Sequence, residues 1–363
     1  MTTYLLAGGG TGGHVNPLLA LAELIRTKEP SSTIITLGTA EGLESRLVPM
    51  RGFELQTIEK LPFPRKPTLY ALRFPFKLMS AVKQVSALIE ERKIDVVIGF
   101  GGYASAPAYL AAKRAGVPLV IHEANALPGM ANRLGAKNAA AVAVAFTSTK
   151  LPGAVVTGMP LRLEIEEAVA NANQIAARVE LGLKPDVPTL LVTGGSLGAK
   201  RINESIAEAS AALDAAGVQV LHITGANSEL PEVSNSALVR IKYCDRMDLA
   251  ISASNLAVAR AGASTVCELG AFGLPSVFVP YPVGNGEQRF NAADLVDAGG
   301  AVLVEDAKFT ADYVRNQVIP LISNNKALAT MSAAAKRVSI ADGTSRLLAL
   351  VQSVLPTKNR AGK

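Results

Sequence analysis

The apolar positions of the chain fall in short runs separated by longer, half-polar stretches. Runs at Thr3–Ala7, Thr33–Leu37, Val96–Gly99, Pro118–His122 and Ala140–Val144 predict strands. Between them, Pro17–Thr27, Ser80–Arg92 and Ala106–Ala115 carry the spacing of helices. Strands this apolar, alternating with helices, predict a parallel sheet covered on both faces. The pattern breaks across residues 151–162, at Pro152, Gly153, Gly158 and Pro160, and then restarts. Thr189–Thr193, Val218–Ile223, Leu238–Tyr243, Leu256–Ala259, Ser276–Val279 and Ala301–Val304 predict a second set of strands, with a helix over Ile202–Ala215 after the first. The expected class is α/β: two doubly wound, Rossmann-like domains, residues 1–160 and 161–342, facing across a cleft that is the default ligand site. A last helix, over residues 343–356, is expected to cross back onto the first domain, and residues 356–363 to fray.

Each half has a strand that ends in glycines and leads into a helix. The first turn is Gly8-Gly9-Gly10-Thr11-Gly12-Gly13-His14, with Pro17 expected in the first helical turn. The second is Gly194-Gly195-Ser196-Leu197-Gly198. Such turns bring bare N–H groups and the positive end of a helix to an anion. Gly8-x-Gly10-x-x-Gly13 also fits the dinucleotide fingerprint, which needs an acidic residue near the end of the second strand to bond a ribose. There the chain reads Leu37-Gly38-Thr39-Ala40, and Glu41 falls in the following loop, so a nicotinamide-dependent dehydrogenase is a remote reading. Glu268 is a better ribose ligand. It follows strand Leu256–Ala259 and a turn at Gly262 and Ala263, one turn inside a helix expected over Thr265–Phe272, with Ser264 placed to cap it. A plain capping box is the alternative. Past Pro280 a loop delivers Glu287, Gln288 and Asn291 to a strand end, side chains suited to hexose hydroxyls.

Composition narrows the setting. The 363 residues can build two cores, and no run reaches the roughly 18 apolar residues of a membrane span. No secretory segment precedes the first strand, and Cys244 and Cys267 have neither disulfide nor metal spacing; a reducing cytoplasm and two small buried residues are expected. The net charge of +6 lies within residues 60–84, where Lys60, Arg65, Lys66, Arg73, Lys77 and Lys83 occur with no acidic residue. They interleave with Phe63, Leu69, Tyr70, Leu72, Phe74, Phe76 and Leu78. Cations among large apolar groups suit an anionic membrane surface, although a solvated loop and half-buried helix would look the same. No nucleic-acid-binding motif accompanies the patch, so nucleic acid is not an expected partner.

Gly8–His14, Gly101-Gly102-Tyr103, His122-Glu123-x-Asn125, Gly158-x-Pro160-x-Arg162, Gly194-Gly195-Ser196-x-Gly198-Ala199, Gly262-Ala263-x-Thr265-x-x-Glu268 and Glu287-Gln288-x-x-Asn291-Ala292 occur in this order. In these motifs, from about residue 4 to residue 347, the chain resembles the MurG family of glycosyltransferases. The resemblance implies a GT-B fold, inversion at the anomeric carbon, and UDP-N-acetylglucosamine as donor. It also implies the undecaprenyl-linked muramyl-pentapeptide as acceptor and peripheral attachment to the cytoplasmic face of the cell membrane. By the same resemblance Thr11, Gly12 and Gly13 line the first loop near the donor sugar and diphosphate, and Asn125 bonds the sugar. Arg162 and Ser196 contact the diphosphate. Ala263, Ser264, Thr265, Val266, Cys267 and Glu268 bind diphosphate and ribose, with Glu268 on the ribose, and Gln288 meets a sugar hydroxyl. Cys244 lies where the family holds uracil through backbone groups. Glu287 departs from the pattern, since some relatives have glutamine there.

The chemistry asks for the same residues. The chain has no Asp-x-Asp motif to hold a metal, and no cofactor is expected. Charge gathering on the departing UDP would then meet glycine-loop amides, the helix start at Ser264 and Arg162. The attacking hydroxyl needs a general base, and His14 is the candidate because histidine titrates near neutrality. A loop-stabilising or acceptor-orienting role would place it in the same position. His122 and His222, on buried strands, are expected to be structural. A UDP-N-acetylglucosamine 2-epimerase or another GT-B transferase would share the fold, and the patch at 60–84 discriminates because a soluble epimerase has no need of it. A nucleotide-binding module without turnover is opposed by His14, Arg162 and Glu268 occurring together.

Overall fold

In this computed structural model, which describes residues 1–64, 66–234, 237–283 and 285–355, the apolar runs of the first half assemble into one parallel sheet. Arg65 of the basic stretch, Gly284 of the loop after Pro280, and residues 356–363 lie outside the described residues. The strands are β1 (Thr3–Ala7), β2 (Thr33–Thr39), β3 (Glu54–Ile58), β4 (Val96–Gly99), β5 (Leu119–Glu123), β6 (Ala141–Val144) and β7 (Ala154–Val156), in the order β3-β2-β1-β4-β5-β6-β7. The helices between them are α1 (Gly12–Lys28), α2 (Glu44–Met50), α3 (Leu69–Glu91), α4 (Ser105–Ala115) and α5 (Met130–Ala136). Alternate residues of β1 face opposite layers. Leu5 and Ala7 pack with Ala81, Val85 and Ile89 of α3 and Ala108, Ala111 and Ala112 of α4. Tyr4 and Leu6 pack with Val15, Leu18 and Leu21 of α1. Each such leucine contributes roughly 1.5–3 kcal/mol by leaving water.

The C-terminal helix Gly343–Ser353 joins that second layer through Leu347, Leu348 and Val351. Thr344 Oγ1 donates to Leu161 O at 3.0 Å and Gln352 Nε2 to Glu29 Oε1 at 2.7 Å. A Cβ at Gly343 would run into Met159 O. Accordingly one unit of the chain comprises residues 1–163 with the described residues from Asp342 onward, and the other residues 164–341.

The second unit repeats the scheme. Strands β8 (Thr189–Thr193), β9 (Gln219–Ile223), β10 (Val233–Ser234), β11 (Leu238–Ile241), β12 (Leu256–Ala259), β13 (Ser276–Phe278) and β14 (Ala301–Leu303) are ordered β10-β11-β9-β8-β12-β13-β14. All pairs are parallel except β10 with β11. Leu190, Val192, Leu256 and Val258 meet Ile202, Ile206 and Leu213 in its core. Among the described residues no helix is long and apolar enough to cross a membrane.

Three elements differ from their expected form. The helix α1 starts at Gly12, so Pro17 is well inside it; His14 N and Val15 N both bond Thr11 O at 3.1 Å and close the first turn ahead of the proline. The helix α3 starts at Leu69, capped by Thr68, whose Oγ1 accepts from Ala71 N at 3.4 Å, and it carries Pro75 inside. The expected helix over 202–215 is two, Lys200–Glu208 and Ser210–Ala215, with the break at Ala209.

Candidate functional site

The loop after β1 runs straight into α1, which puts Gly12, Gly13 and His14 in the first helical turn. Thr11, at the N-cap, makes no side-chain cap bond. The first N–H groups of such a helix point at whatever anion sits beyond them. His14 Nδ1 lies 3.0 Å from Gly9 O and 3.4 Å from Thr11 Oγ1. A carbonyl oxygen only accepts, so Nδ1 carries the hydrogen and Nε2 is left to accept. Gly101, at φ +90°, keeps that edge uncrowded, because a Cβ there would sit 3.1 Å from Nε2. At Gly102, φ +88°, a Cβ would run into Gly9 O, so this glycine lets the two loops touch. Lys60 Nζ sits 5.1 Å from the ring centre of the neighbouring Tyr103.

Two buried carboxylates hold these loops in shape. Glu44, 1% exposed at the start of α2, accepts from Thr39 N and Thr39 Oγ1 on Oε1, each at 2.9 Å, and from Gly10 N on Oε2 at 2.7 Å. Spacing did not single out Glu44. Its sequence signal is the pair Gly38 and Gly42 around it, where a Cβ would collide with its side chain, as one would at Gly9. Glu123, at the end of β5, accepts from Asn125 N at 2.8 Å, and from Gly129 N and Asn132 Nδ2 at 2.9 Å each. It therefore fixes the backbone of Asn125, whose side chain is half-buried. Arg162 is half-buried just beyond Leu161.

In the second unit, Ser196 is exposed on the Gly194–Gly198 turn, and Gly198, φ +88°, packs against Thr224 O so closely that a Cβ would collide. The helix Ala263–Phe272 begins two residues earlier than its sequence suggests. Gly262 is its N-cap and no side chain caps it, so Ser264 is its second residue and not the cap; the extended φ −64°, ψ 143° of Gly262 turns the chain into the helix unaided. Ser264 and Glu268 stand four residues apart on one helix face, both half-buried, while Ala263 and Val266 point into the core. Thr265 is half-buried as well. Burial pushes the Cys267 thiol up, so it stays protonated. Cys244 is buried.

The group expected to face a hexose loses one member. Asn291 is 1% exposed and donates from Nδ2 to Ala261 O at 3.3 Å, so it braces the turn before Gly262. Gln288 Oε1 accepts from Tyr281 N at 2.9 Å, and both it and Glu287 are half-buried on the short helix Glu287–Asn291. The brace is completed by Arg260, whose Nη1 donates to Val279 O at 3.0 Å, Pro280 O at 3.1 Å and Asp306 Oδ1 at 2.6 Å. The remaining histidines are both fully buried. Nε2 of His122 faces Gly158 O and Nε2 of His222 faces Asn203 Oδ1, each at 3.0 Å. Burial pulls His122 down to about 4 and His222 to about 3.

Two family models match most of the chain. The glycosyltransferase family 28 N-terminal domain matches residues 4–144, and the glycosyltransferase family 28 C-terminal domain matches residues 189–347. A protein of Leifsonia xyli subsp. xyli (strain CTCB07), named UDP-N-acetylglucosamine–N-acetylmuramyl-(pentapeptide) pyrophosphoryl-undecaprenol N-acetylglucosamine transferase, is 55% identical over 98% of this chain and 99% of its own. A Streptomyces avermitilis protein of the same name is 46% identical over 98% and 99%. The crystal structure of Acinetobacter baumannii MurG aligns with a TM-score of 0.79 and 28% identity, covering 98% of this chain and 100% of that one.

Proposed function

The chain belongs to the MurG family within glycosyltransferase family 28, and from that membership we infer that it moves N-acetylglucosamine from UDP-N-acetylglucosamine to the lipid-linked muramyl-pentapeptide of peptidoglycan synthesis. The 55% identity to a transferase of that name, held over 98% of the chain, carries the reading. Its two parallel-sheet α/β units are those of the GT-B class. An epimerase reading has no support of this kind, because fold alone does not choose between the two.

The residue roles proposed here rest on the family resemblance and on the chemistry of the transfer. Nε2 of His14 takes the proton of the muramyl 4-hydroxyl as that oxygen bonds the anomeric carbon, and the bond to UDP breaks with its electron pair on the β-phosphate oxygen. Inversion follows from this single displacement. In the second unit Ser196 and the start of the helix Ala263–Phe272 meet the diphosphate, and Glu268 accepts from the ribose hydroxyls. Gln288, its carbonyl held by Tyr281 N, offers its N–H2 to a sugar hydroxyl. In the first unit Thr11, Gly12, Gly13 and Asn125 serve the sugar, and Arg162 serves the diphosphate. Fixed dipoles and Arg162 carry the charge without a metal ion.

The enzyme works at the cytoplasmic face of the membrane, and α3 supports this. Leu69, Leu72, Phe76 and Met79 recur at helical spacing and are 65–75% exposed, opposite the buried Ala81, Val85 and Ile89. Among the described residues two of the stretch's cations are engaged within the chain. Lys77 pairs with Glu59, just outside the stretch, and Lys60 turns to Tyr103. Lys66, Arg73 and Lys83 remain exposed, for about 1 kcal/mol each on an anionic surface.

The test is transfer of radiolabel from UDP-N-acetylglucosamine to a short-chain muramyl-pentapeptide lipid analogue, with chelator present. A labelled disaccharide lipid is expected. Release of UDP and N-acetylmannosamine without acceptor, and no lipid product, would reverse the assignment to an epimerase.

A further inference from the structure

We propose that Glu44 is a positioning residue for the transfer, acting on His14 through the peptide bond between Gly9 and Gly10; the proposal rests on the reading of His14 as general base. That one peptide group is bonded at both ends. Its N–H, on Gly10, donates to Glu44 Oε2 at 2.7 Å, and its carbonyl, on Gly9, accepts from His14 Nδ1 at 3.0 Å. A carboxylate thus reaches the imidazole through one intervening amide. Hydrogen bonds in series polarise each other, by roughly 10–30% per bond. The carboxylate draws on the N–H, the carbonyl oxygen becomes a better acceptor, and Nδ1–H is held in place, which leaves Nε2 to accept.

Two further observations say that Glu44 is more than filler. Among the described residues no cation pairs with it; its partners are the N–H and O–H groups of Thr39 and Gly10. Burying a carboxylate this way is costly, and replacement by an apolar side chain is often the more stable choice. Yet the chain places glycine at three positions, Gly9, Gly38 and Gly42, where any Cβ would strike the Glu44 side chain. The socket is built for the charge. His14 also lies in the first turn of α1, where the helix dipole opposes a positive charge. During transfer the hydroxyl proton arrives on Nε2 while Nδ1 keeps its own. The negative charge of Glu44, one peptide away, offsets the dipole at that moment, and no proton crosses the peptide.

The three histidines make this measurable in the full-length enzyme. His122 and His222 face acceptors with Nε2, so both carry their hydrogen there. His14 is then the one Nδ1–H tautomer among the three. In nitrogen-15 histidine correlation spectra at pH 8, the signal removed by His14→Ala should have the Nδ1–H pattern. In Glu44→Gln that signal should move towards the Nε2–H pattern, with kcat lowered roughly 10–100-fold and KM for UDP-N-acetylglucosamine changed less than about twofold. Thr39→Val, which removes one of the donors to the carboxylate, should shift the signal the same way by less. An Nε2–H pattern for His14 in the unsubstituted enzyme overturns the proposal even where Glu44→Gln fails to fold. So does a Glu44→Gln enzyme with unchanged tautomer and kcat. Full turnover by His14→Ala would instead remove the general-base reading and leave the tautomer result standing.

Discussion

In the proposed mechanism His14 and Glu268 serve the reaction at different stages, and their replacement should separate in the kinetics. His14 contributes only as the proton leaves the acceptor. His14→Ala should lower kcat by roughly 10²–10⁴ and leave UDP affinity, read by calorimetric titration, almost unchanged. Near-full turnover would sink the base assignment. On the proposed role Glu268 contributes to nucleotide affinity before any bond breaks, since a charged acceptor on a ribose hydroxyl is worth about 1.5–3 kcal/mol. Glu268→Ala should raise KM for UDP-N-acetylglucosamine by roughly 10-fold or more with a smaller change in kcat, and an unchanged KM would exclude the ribose role. Legibility at this scale depended on where a residue finds its partner. His14 was legible because its neighbours in sequence, Gly9 and Thr11, are its neighbours in space. Asn291 was misread because its partner, Ala261, lies 30 residues back, and Glu44 was passed over because Gly10 lies 34 residues away. Nothing in local spacing encodes either bond.

Among the elements, the dry strands β1, β4, β8 and β12 were read to the residue, and β5 and β9, equally dry, to within one residue at each end. The edge strands β3 and β7 were not. In β3 the run Glu54-Leu-Gln-Thr-Ile58 leaves half its side chains in water, and β7 exposes Val155 and Val156, so neither carries an unbroken apolar signal. Prolines misled in the same direction twice. Both α1 and α3 continue through a proline, which loses one backbone bond but leaves the packed face intact. The longer α3 leaves Leu72 and Phe76 of its first half exposed, while Phe74 and Leu78 pack against the core. Leu72→Ser and Phe76→Ser should each weaken binding to vesicles containing anionic lipid by roughly 10-fold or more, on the basis of about 1.5–3 kcal/mol per buried side chain. Turnover on a soluble acceptor analogue should hold. Raised salt should weaken binding further, through Lys66, Arg73 and Lys83. Vesicle sedimentation that does not change with either substitution would remove α3 from the membrane.

At the scale of the whole molecule, the two units share more than a strand order. Each keeps one histidine dry inside its sheet, His122 on β5 and His222 on β9, and each holds it neutral. That makes both units sensitive to acid in the same window. Above about pH 6.5, the ordinary histidine value, neither the folded nor the unfolded chain binds a proton at these sites, and stability is indifferent to pH. Below it the unfolded chain takes up protons that the folded chain refuses until about 4 for His122 and about 3 for His222. Stability must therefore fall as pH drops through that interval. At pH 5.5 the loss is about 1.4 kcal/mol for each histidine relative to pH 8. Its size is set by the unfolded chain alone, because both folded values lie more than one unit lower. Denaturant unfolding at the two pH values measures it, and His222→Gln supplies the control, since glutamine keeps a donor for Asn203 Oδ1 and cannot titrate. In that variant the acid-induced loss should shrink by about 1.4 kcal/mol for the second unit while the first keeps its own. An acid-induced loss of the same size with and without His222 would mean that carboxylates, not the buried imidazoles, set the acid limit of the fold.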